Sequence, residues 1–350
     1  MAPSKRIFIS DVHIGLRKKY EWFTEEHKQN LVDILKLIAD QGDTVKDLVL
    51  LGDFFETWLA PVNILPANIK SILKYEGNLE IINALKACIK NLTNVFYLNG
   101  NHDMHVNEND LGQLTAGGKH IQHIFCYNAG LLYAEHGCRF AMFNAKDRIH
   151  DPLDGYPLGY FISRIASSSN EKYDSPGSIA SYVDDLLEAA LTTQTISESI
   201  IEALMEVAHL SPETEIKLPK PRRSLKIKEV QKKYATLWDC WVEKFGYQYS
   251  LNAIKGEMCS LEWFGDRLCE KNDYKVVVLA HTHKAEMDKD KLFVSNDRVY
   301  ANAGFWTTKK PTFIEVDKQK NKFVVALCKV KRDNAGKLKI KRKEESLALT

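Results

Sequence analysis

The segment that best indicates the fold is a β-rich run followed by a polar cluster, VFYLNGNHD, at residues 95–103. Four other β-rich runs also end in residues that are able to bind a metal ion. These runs lead into Asp11-Val12-His13, Gly52-Asp53, Glu135-His136-Gly137 and His281-Thr282-His283. Because open α/β sheets form their sites where strands end, we expect the five clusters to meet in one crevice.

The residue types in these clusters favour a metal site. In an extended strand end, residues i and i+2 point the same way, so Asp11 with His13, and His281 with His283, are expected to aim two groups into the crevice. Carboxylate and amide oxygens mixed with imidazole nitrogens suit Mn2+, Fe2+ or Zn2+. The glycines beside the ligands permit a sharp turn after each strand.

Around the clusters the chain alternates β-rich runs with helical periodicity, which predicts an α/β fold. Apolar residues at helical spacing in residues 31–38, for example, lie between β-rich runs at residues 6–10 and 48–51. Residues 147–273 differ, because they hold almost no β-like run. We therefore predict a first core part at 1–146, a helical cap insertion at 147–273, a second core part at 274–330, and a flexible basic tail at 331–350.

Four helices are predicted within residues 147–273. The first carries Ile179, Val183, Leu186 and Leu187, the second Ile196, Ile200, Leu204 and Val207, the third Ile227 to Phe245 with Trp238 and Trp241, and the fourth Ile254, Leu261, Phe264 and Leu268. This region leaves the core after the His136 cluster and returns just before the His281 cluster. We therefore expect it to lie beside the crevice and to select the substrate without supplying the chemistry.

The composition is that of an ordinary soluble protein. The chain has 350 residues, of which 45% are hydrophobic and 27% charged, and a formal net charge of +2. No apolar run is long enough for a transmembrane segment or a signal peptide, so a cytoplasmic location is the expectation. Seven scattered cysteines without a C-x-x-C pair argue against a disulfide framework or a zinc ribbon. The nearly balanced charge does not favour nucleic acid as a partner.

The order of the clusters resembles that of the calcineurin-like metallophosphoesterases, whose pattern is D-x-H, G-D, G-N-H-D, H and G-H-x-H. Within that superfamily, the motifs GDFFETW at residues 52–58 and GFW at residues 304–306 resemble the UDP-2,3-diacylglucosamine pyrophosphatase branch. The resemblance implies a sandwich of two mixed β-sheets flanked by helices. It also implies a phosphorylated small-molecule or lipid-linked substrate and two divalent metal ions, with Mn2+ preferred to Fe2+ or Zn2+.

The resemblance further implies a role for each site residue. One metal ion would be held by Asp11, His13, Asp53 and His283, and the other by Asp53, Asn101, His136 and His281. Asp53 would bridge the two ions, about 3.5 to 4 Å apart, and a hydroxide between them would attack phosphorus in line. His102 would stabilise the transition state and protonate the leaving oxygen, with Asp103 orienting its ring.

Three departures from the diacylglucosamine branch bear on the substrate. That branch usually has Arg at the position of His102 and Asp at the position of Cys138, and its insertion is shorter. His102 instead matches the wider superfamily of phosphomonoesterases, phosphodiesterases and nucleases. Monoester, diester and pyrophosphate hydrolysis therefore stay open. A metal-dependent nuclease is the alternative, and a non-catalytic scaffold is a third hypothesis, against which the intact ligands argue.

Several residues near the clusters have two interpretations. Glu56 and Trp58 follow the predicted bridging ligand and either line the pocket or start a helix. Lys146 and Arg164, where the core runs into the helical region, either contact phosphate or are ordinary surface charges. His105 is close enough in sequence to the 101–103 cluster to face the crevice, although a surface position is the default.

Overall fold

The structure is a computed structural model that describes residues 3–169, 196–219, 224–257, 259–288 and 298–348. The strands are β1 (Lys5–Ile9), β2 (Val45–Leu51), β3 (Asn94–Leu98), β4 (Thr115–Ala116), β5 (Lys119–His120), β6 (Gln122–His123), β7 (Tyr127–Ala129), β8 (Leu132–Ala134), β9 (Glu215–Lys217), β10 (Ser224–Lys226), β11 (Val276–Leu279), β12 (Glu286–Asp288), β13 (Val299–Asn302), β14 (Thr312–Gln319), β15 (Lys322–Arg332) and β16 (Leu338–Ala348). The α-helices are α1 (Glu25–Ala39), α2 (Ile69–Lys74), α3 (Leu79–Asn91), α4 (Glu108–Leu111), α5 (Leu158–Ala166), α6 (Ile196–Val207), α7 (Ile227–Tyr234), α8 (Leu237–Phe245), α9 (Tyr247–Lys255) and α10 (Glu262–Asn272). Within the described ranges, no helix combines the length and the apolar character that crossing a membrane requires.

Two mixed sheets carry the predicted clusters. The larger has seven strands in the order β16, β15, β14, β1, β2, β3, β6, and the smaller has five in the order β12, β13, β11, β8, β7. Strands β1, β2 and β3 run parallel, as do β8, β11 and β13. Parallel neighbours end at the same edge of a sheet, so three clusters meet at one edge of the larger sheet and two at one edge of the smaller.

Three apolar cores hold the layers together, and alternation along the strands separates them. Phe8 of β1 and Val278 of β11 belong to the core between the two sheets. Ile7 and Ile9 point to the opposite face of the larger sheet, where α1 and α3 pack. Val277 points to the opposite face of the smaller sheet, against the helices of residues 158–272. Helices therefore flank a two-sheet sandwich, which confirms the predicted fold class.

Helix α1 is an example of how the sequence determines which helix face packs against the larger sheet. Leu31, Ile34, Leu35 and Ile38, predicted at helical spacing, are all buried against the larger sheet. The helix starts at a capping box in which the Thr24 N–H donates to the His27 side chain at 3.0 Å. A capped helix with one apolar face is the pattern expected of a helix that covers a sheet.

The helical region differs from the prediction in its details. The helix predicted at residues 179–187 lies outside the described residues, whereas the one starting at Ile196 is present as α6. The third predicted helix is two helices, α7 and α8, because the backbone leaves helical geometry at Thr236 (φ −99°, ψ 10°). The fourth is likewise divided into α9 and α10, with Leu261 (φ −99°, ψ 12°) before the second. Strands β9 and β10 form a small additional sheet. The division of the chain into domains stays a prediction.

The prediction of a flexible basic tail at residues 331–350 is corrected by the structure, because residues 338–348 form the edge strand β16. This strand pairs antiparallel with β15 along its whole length. Leu347 is buried in the core between the sheets, and Arg342 forms an ion pair with Glu315 of β14. Leu338 and Ile340 pack against the core that α1 and α3 share with the larger sheet, a contact that the basic composition concealed. Lys and Arg residues on an exposed edge also oppose pairing with another sheet.

Candidate metal centre

The ligands predicted for the first metal ion lie at the strand ends. His13 Nε2 is 3.3 Å from His283 Nε2, and His283 Nε2 is 3.1 Å from Asp11 Oδ1. The ligand atoms of these three residues all lie within 4.8 Å of one another. Two imidazole nitrogens and a carboxylate oxygen therefore surround one point.

A second group lies beside the first. The ligand atoms of Asp53, His136 and His281 also lie within 4.8 Å of one another. His136 Nε2 is 3.3 Å from Asp53 Oδ2 and 3.2 Å from Asn101 Oδ1. It is also 4.0 Å from Asp11 Oδ1, which joins the two groups. The seven residues predicted as ligands thus share one site, and their role as ligands stays a prediction.

Five of the seven residues have a left-handed backbone. The φ angle is 53° at Asp11, 57° at His13, 50° at Asp53, 73° at His281 and 58° at His283. Residues other than glycine rarely adopt this conformation, so the surrounding structure must enforce it. We expected extended strand ends here. That expectation is wrong, because β1 and β11 end before the ligand residues begin.

Two glycines are required by the closeness of the ligands to the backbone. At Gly52, with φ of 88°, a Cβ atom would lie 2.6 Å from the ring of His136. At Gly100 a Cβ atom would lie 2.2 Å from Asp53 Oδ1. Any larger residue at these positions would displace a predicted ligand.

Hydrogen bonds at Nδ1 turn the Nε2 atoms of two histidines toward the site. The Nδ1 atom of His136 lies 2.9 Å from the Leu51 carbonyl oxygen, to which it donates. The Nδ1 atom of His13 lies 3.0 Å from Glu56 Oε2. Since the proton of each ring is held at Nδ1, the lone pair at Nε2 is available to a cation.

In the absence of a cation, the carboxylates favour a second proton on His136, at the Nε2 atom that faces Asp53. Burial acts to raise the pKa of Asp53, but the charges of His136 and His102 outweigh it and hold that pKa well below its ordinary value. Burial acts to lower the pKa of His136, yet Asp53 and Asp11 raise it to about 10. A cation bound among these carboxylates would supply the same balance and displace the proton.

The residues present fit divalent cations. Among the described residues, Asp11 Oδ1 and His281 Nε2 are buried and have no hydrogen-bond partner. Asp11 Oδ1 lies 3.1 Å from His283 Nε2, at ion-pair distance. An unpartnered buried polar atom is destabilising, and a cation would satisfy both atoms. The mixture of carboxylate, amide and imidazole donors is the one that borderline divalent metals prefer.

Glu56, and not Asp103, orients the ring of His102. Both carboxylate oxygens of Glu56 lie 2.9 Å from His102 Nδ1. Asp103 Oδ2 instead accepts hydrogen bonds from the Phe54 N–H at 2.9 Å and the Tyr97 hydroxyl at 2.5 Å. The predicted role of Asp103 is therefore wrong. Its carboxylate points away from the His102 ring and connects the turn after β2, through the Phe54 N–H, with the turn after β3, through the Gly100 N–H.

Glu56 and Trp58 line the site and do not start a helix. Glu56 also accepts the N–H groups of Trp58 and Leu59, at 2.8 Å and 2.9 Å. Burial acts to raise the pKa of Glu56, but His102 and His13 lower it to about 2, so the carboxylate is charged. The ring of Trp58 stacks on that of His102, with 4.5 Å between centroids.

Trp22 is a site residue that the sequence analysis missed. Its ring centroid lies 4.9 Å from that of His13, 5.3 Å from that of His102 and 6.0 Å from that of His283. The residue is buried in the loop between β1 and α1. The one signal in the sequence is an aromatic residue in the loop that follows the first ligand pair.

Two other predictions are resolved by contacts. Arg164 is fully buried and donates to the carbonyl oxygens of Ala60 and Lys217, at 2.7 Å and 2.8 Å. Its guanidinium therefore joins the helical region to the core, and phosphate contact at Arg164 is excluded. His105 Nε2 lies 2.9 Å from the Asp154 carbonyl oxygen, on the side of the helical region, so the ring does not face the crevice.

A cavity of about 330 Å³ opens beside the second group. Asn101 and His136 are among the residues that line it. Its wall includes the apolar side chains of Met104 and Phe125 and the ammonium group of Lys146. The site is thus open to a ligand with an apolar part and negative charge.

An α/β sandwich with a buried cluster of imidazole and carboxylate groups at its strand ends is the arrangement of a metal-binding phosphoesterase. The model of the calcineurin-like phosphoesterase family matches residues 4–285. The chain therefore belongs to the calcineurin-like phosphoesterase family. No curated protein sequence matches the chain significantly.

Solved structures similar to the chain include two Vps29 proteins. Vps29 from Chaetomium thermophilum is 9% identical over 100% of both chains, with a TM-score of 0.39. Vps29 from Entamoeba histolytica, complexed with Zn2+, is 9% identical over 97% of this chain and 98% of that chain, with a TM-score of 0.34. A conserved predicted phosphoesterase from Streptococcus pneumoniae is 8% identical over 99% of both chains, with a TM-score of 0.32.

Proposed function

We propose that this chain hydrolyses phosphoric esters with the help of two divalent cations. The observation that carries the proposal is the convergence of seven oxygen and imidazole donors at one buried site. Two of these atoms, Asp11 Oδ1 and His281 Nε2, have no hydrogen-bond partner among the described residues. When bound, the cations supply positive charge to a phosphoryl group and lower the pKa of a water molecule.

Each cation has its own ligands in this proposal, with Asp53 shared. We assign Asp11, His13, Asp53 and His283 to the first cation, and Asp53, Asn101, His136 and His281 to the second. Asp53 Oδ1 accepts the His102 N–H at 2.7 Å, which leaves Oδ2 to face the cations. We propose Mn2+ as the cation, with Fe2+ or Zn2+ as alternatives, because the donors are mixed.

His102 is proposed as the residue that protonates the leaving oxygen. Glu56 is bonded to its Nδ1 atom, so Nε2 is free to meet the substrate. Burial acts to lower the pKa of His102, but Glu56 and Asp53 raise it above its ordinary value. A raised pKa favours the protonated ring that a general acid needs.

The cavity supports an ester with an apolar organic group. Met104 and Phe125 would contact that group, and Lys146 would attract a further negative charge. The likeness of the GDFFETW motif to the UDP-2,3-diacylglucosamine pyrophosphatases adds lipid-linked pyrophosphates to the candidates. The helical region at residues 147–273 is proposed as the cap that selects among them, and the cytoplasmic location stays a prediction.

A panel assay tests this proposal. Purified protein is stripped of metal, supplied with Mn2+, and offered aryl phosphates, cyclic and linear nucleotides, a UDP-sugar and single-stranded DNA. Asp53→Ala protein is the control. We expect Mn2+-dependent turnover of at least one ester and two bound cations per chain, both lost in the control. No turnover on any substrate, with no bound metal, would overturn the proposal, and turnover of DNA alone would indicate a nuclease.

A further inference from the structure

We infer that Glu257, in the helical region, is a positioning residue for the second cation, acting on Asn101 through Asn144. The inference rests on the proposed function, because it assumes that Asn101 and His281 are ligands. It adds to that function a connection between the helical region and the metal centre. No motif in the sequence marks Glu257, which follows α9 at a position far from the five clusters.

The carboxylate of Glu257 reaches the metal centre from outside the core. Its side chain is only 4% exposed, and Oε2 lies 3.8 Å from His281 Nε2. Oε1 accepts the Phe143 N–H. Oε2 also accepts the side-chain NH2 group of Asn144 at 2.5 Å. These bonds hold the carboxylate of Glu257 beside His281 and against Phe143 and Asn144, and Asn144 is the residue that contacts Asn101.

This bond fixes the direction of two amide groups in succession. A carboxylate only accepts hydrogen bonds, so Asn144 must turn its NH2 group toward Glu257 and its oxygen toward Asn101. Asn101 then donates its own NH2 group to Asn144 Oδ1 at 3.1 Å. The oxygen of Asn101 is therefore left facing His136 Nε2 at 3.2 Å, on the side of the cation. Only that oxygen, and not the NH2 group, is able to bind a metal ion.

A second segment of the helical region encloses Asn144 from another side. Gly159, in α5, donates its N–H to the Phe143 carbonyl oxygen at 2.7 Å. A Cβ atom at Gly159 would lie 2.3 Å from Asn144 Oδ1. The backbone of α5 therefore lies close to the oxygen that accepts from Asn101, and a residue larger than glycine at position 159 would displace it. Both ends of the helical region thus hold the same amide.

Metal binding by the full-length protein tests this inference without relying on turnover. Metal-free protein is titrated with Mn2+ in a calorimeter, and the wild type should bind two cations. In Glu257→Gln, the affinity of one site should fall about 10- to 100-fold, as expected when a group that orients a ligand is lost, and the other site should be unchanged. Asn144→Ala should show the same selective loss. Glu243→Gln, an exposed change in α8, is the matched control and should bind as the wild type does.

The double variant Glu257→Gln/Asn144→Ala tests whether the two residues act through the same series of hydrogen bonds or weaken the structure independently. If both residues act through Asn101, the double variant should lose little more affinity than Asn144→Ala alone. Unchanged affinity in both folded single variants, or equal weakening of both sites, would overturn the inference. Should Glu257→Gln fail to fold, the metal affinities of Asn144→Ala alone decide between the same two outcomes. A wild type that binds no metal would instead overturn the proposed function.

Discussion

Replacing Glu56 by Gln should change the protonation of two histidines at once. Glu56 Oε1 accepts the N–H groups of Trp58 and Leu59, and Oε2 faces the Nδ1 atoms of His13 and His102. A Gln side chain has one oxygen and one NH2 group. If that oxygen keeps the two backbone bonds, the NH2 group faces both imidazoles. The His13 ring must then accept at Nδ1 and carry its proton at Nε2. His102 loses the negative charge of Glu56, which in the wild type raises the pKa of its ring against the effect of burial.

The size of the effect follows from the bonds that are lost. A hydrogen bond to a charged group contributes about 1.5–3 kcal/mol, and every 1.4 kcal/mol is about tenfold in an equilibrium or a rate. His13 with its proton at Nε2 has no lone pair for the first cation, so the affinity there should fall about 10- to 100-fold. A neutral His102 is a poor acid, so kcat for esters with poor leaving groups should fall about 10²- to 10⁴-fold.

The assay compares kcat across aryl phosphates of different leaving-group pKa at saturating Mn2+. Glu56→Gln should respond more steeply to the leaving group than the wild type does. The control is Asp103→Asn, which should lower thermal stability but keep the wild-type response, because Asp103 bonds to Phe54 and Tyr97 and not to His102. The reasoning is refuted if Glu56→Gln keeps the wild-type response and metal affinity, or if Asp103→Asn alone changes them.

Four further predictions concern the proposed ligands and the general acid. Asp53→Ala should lose both cations and all turnover, because Asp53 is assigned to both cations. His13→Ala should regain some turnover in excess Mn2+, because His13 is assigned to one cation only. Metal content measured beside the rate checks both expectations. His102→Ala should slow esters with poor leaving groups far more than activated aryl esters and keep both cations, and equal losses would point to electrostatic stabilisation alone. Mn2+ binding should release protons from His136. Burial lowers the pKa of His136, but Asp53 and Asp11 outweigh burial and raise this pKa to about 10. Calorimetry in buffers of different ionisation enthalpy measures the release. The raised pKa of His136 should also make the stability of the metal-free protein depend on pH. The stabilisation should be complete below the pKa of histidine in the unfolded chain, about 6.5, and should vanish as the pH rises through about 10. A pH series of melting curves would show this loss.

The close approach of the predicted ligands could be foreseen because each group of them follows its own strand. Strands β1, β2 and β3 are parallel neighbours, so Asp11, Asp53 and Asn101 come together once the sheet forms. The order of the clusters along the chain therefore contained most of the information needed. The same holds for α1, whose apolar spacing alone determined which face it buries.

The directions of side chains at the site could not be predicted in this way. Spacing indicates which strand a residue follows, but it does not give the conformation once the backbone leaves the strand, as the left-handed φ at His281 shows. Glu56 and Asp103 are both carboxylates within three residues of a predicted ligand. Sequence gives no reason to prefer one as the partner of His102. Only the hydrogen-bond geometry separates them.

The helical region and the metal centre are less separable than the sequence suggested. We expected this region to select the substrate without supplying the chemistry, so that a short linker in place of residues 160–272 would preserve metal binding. That replacement would remove Glu257. It would also uncover β11, whose Val277 and Leu279 belong with Phe264 of α10 to the core on the helical side of the smaller sheet. β11 leads directly into His281. Loss of metal binding in such a truncated protein would therefore reveal nothing about substrate selection. Substitutions of single side chains on the cavity wall, with Glu257 left in place, are the changes that separate the two roles.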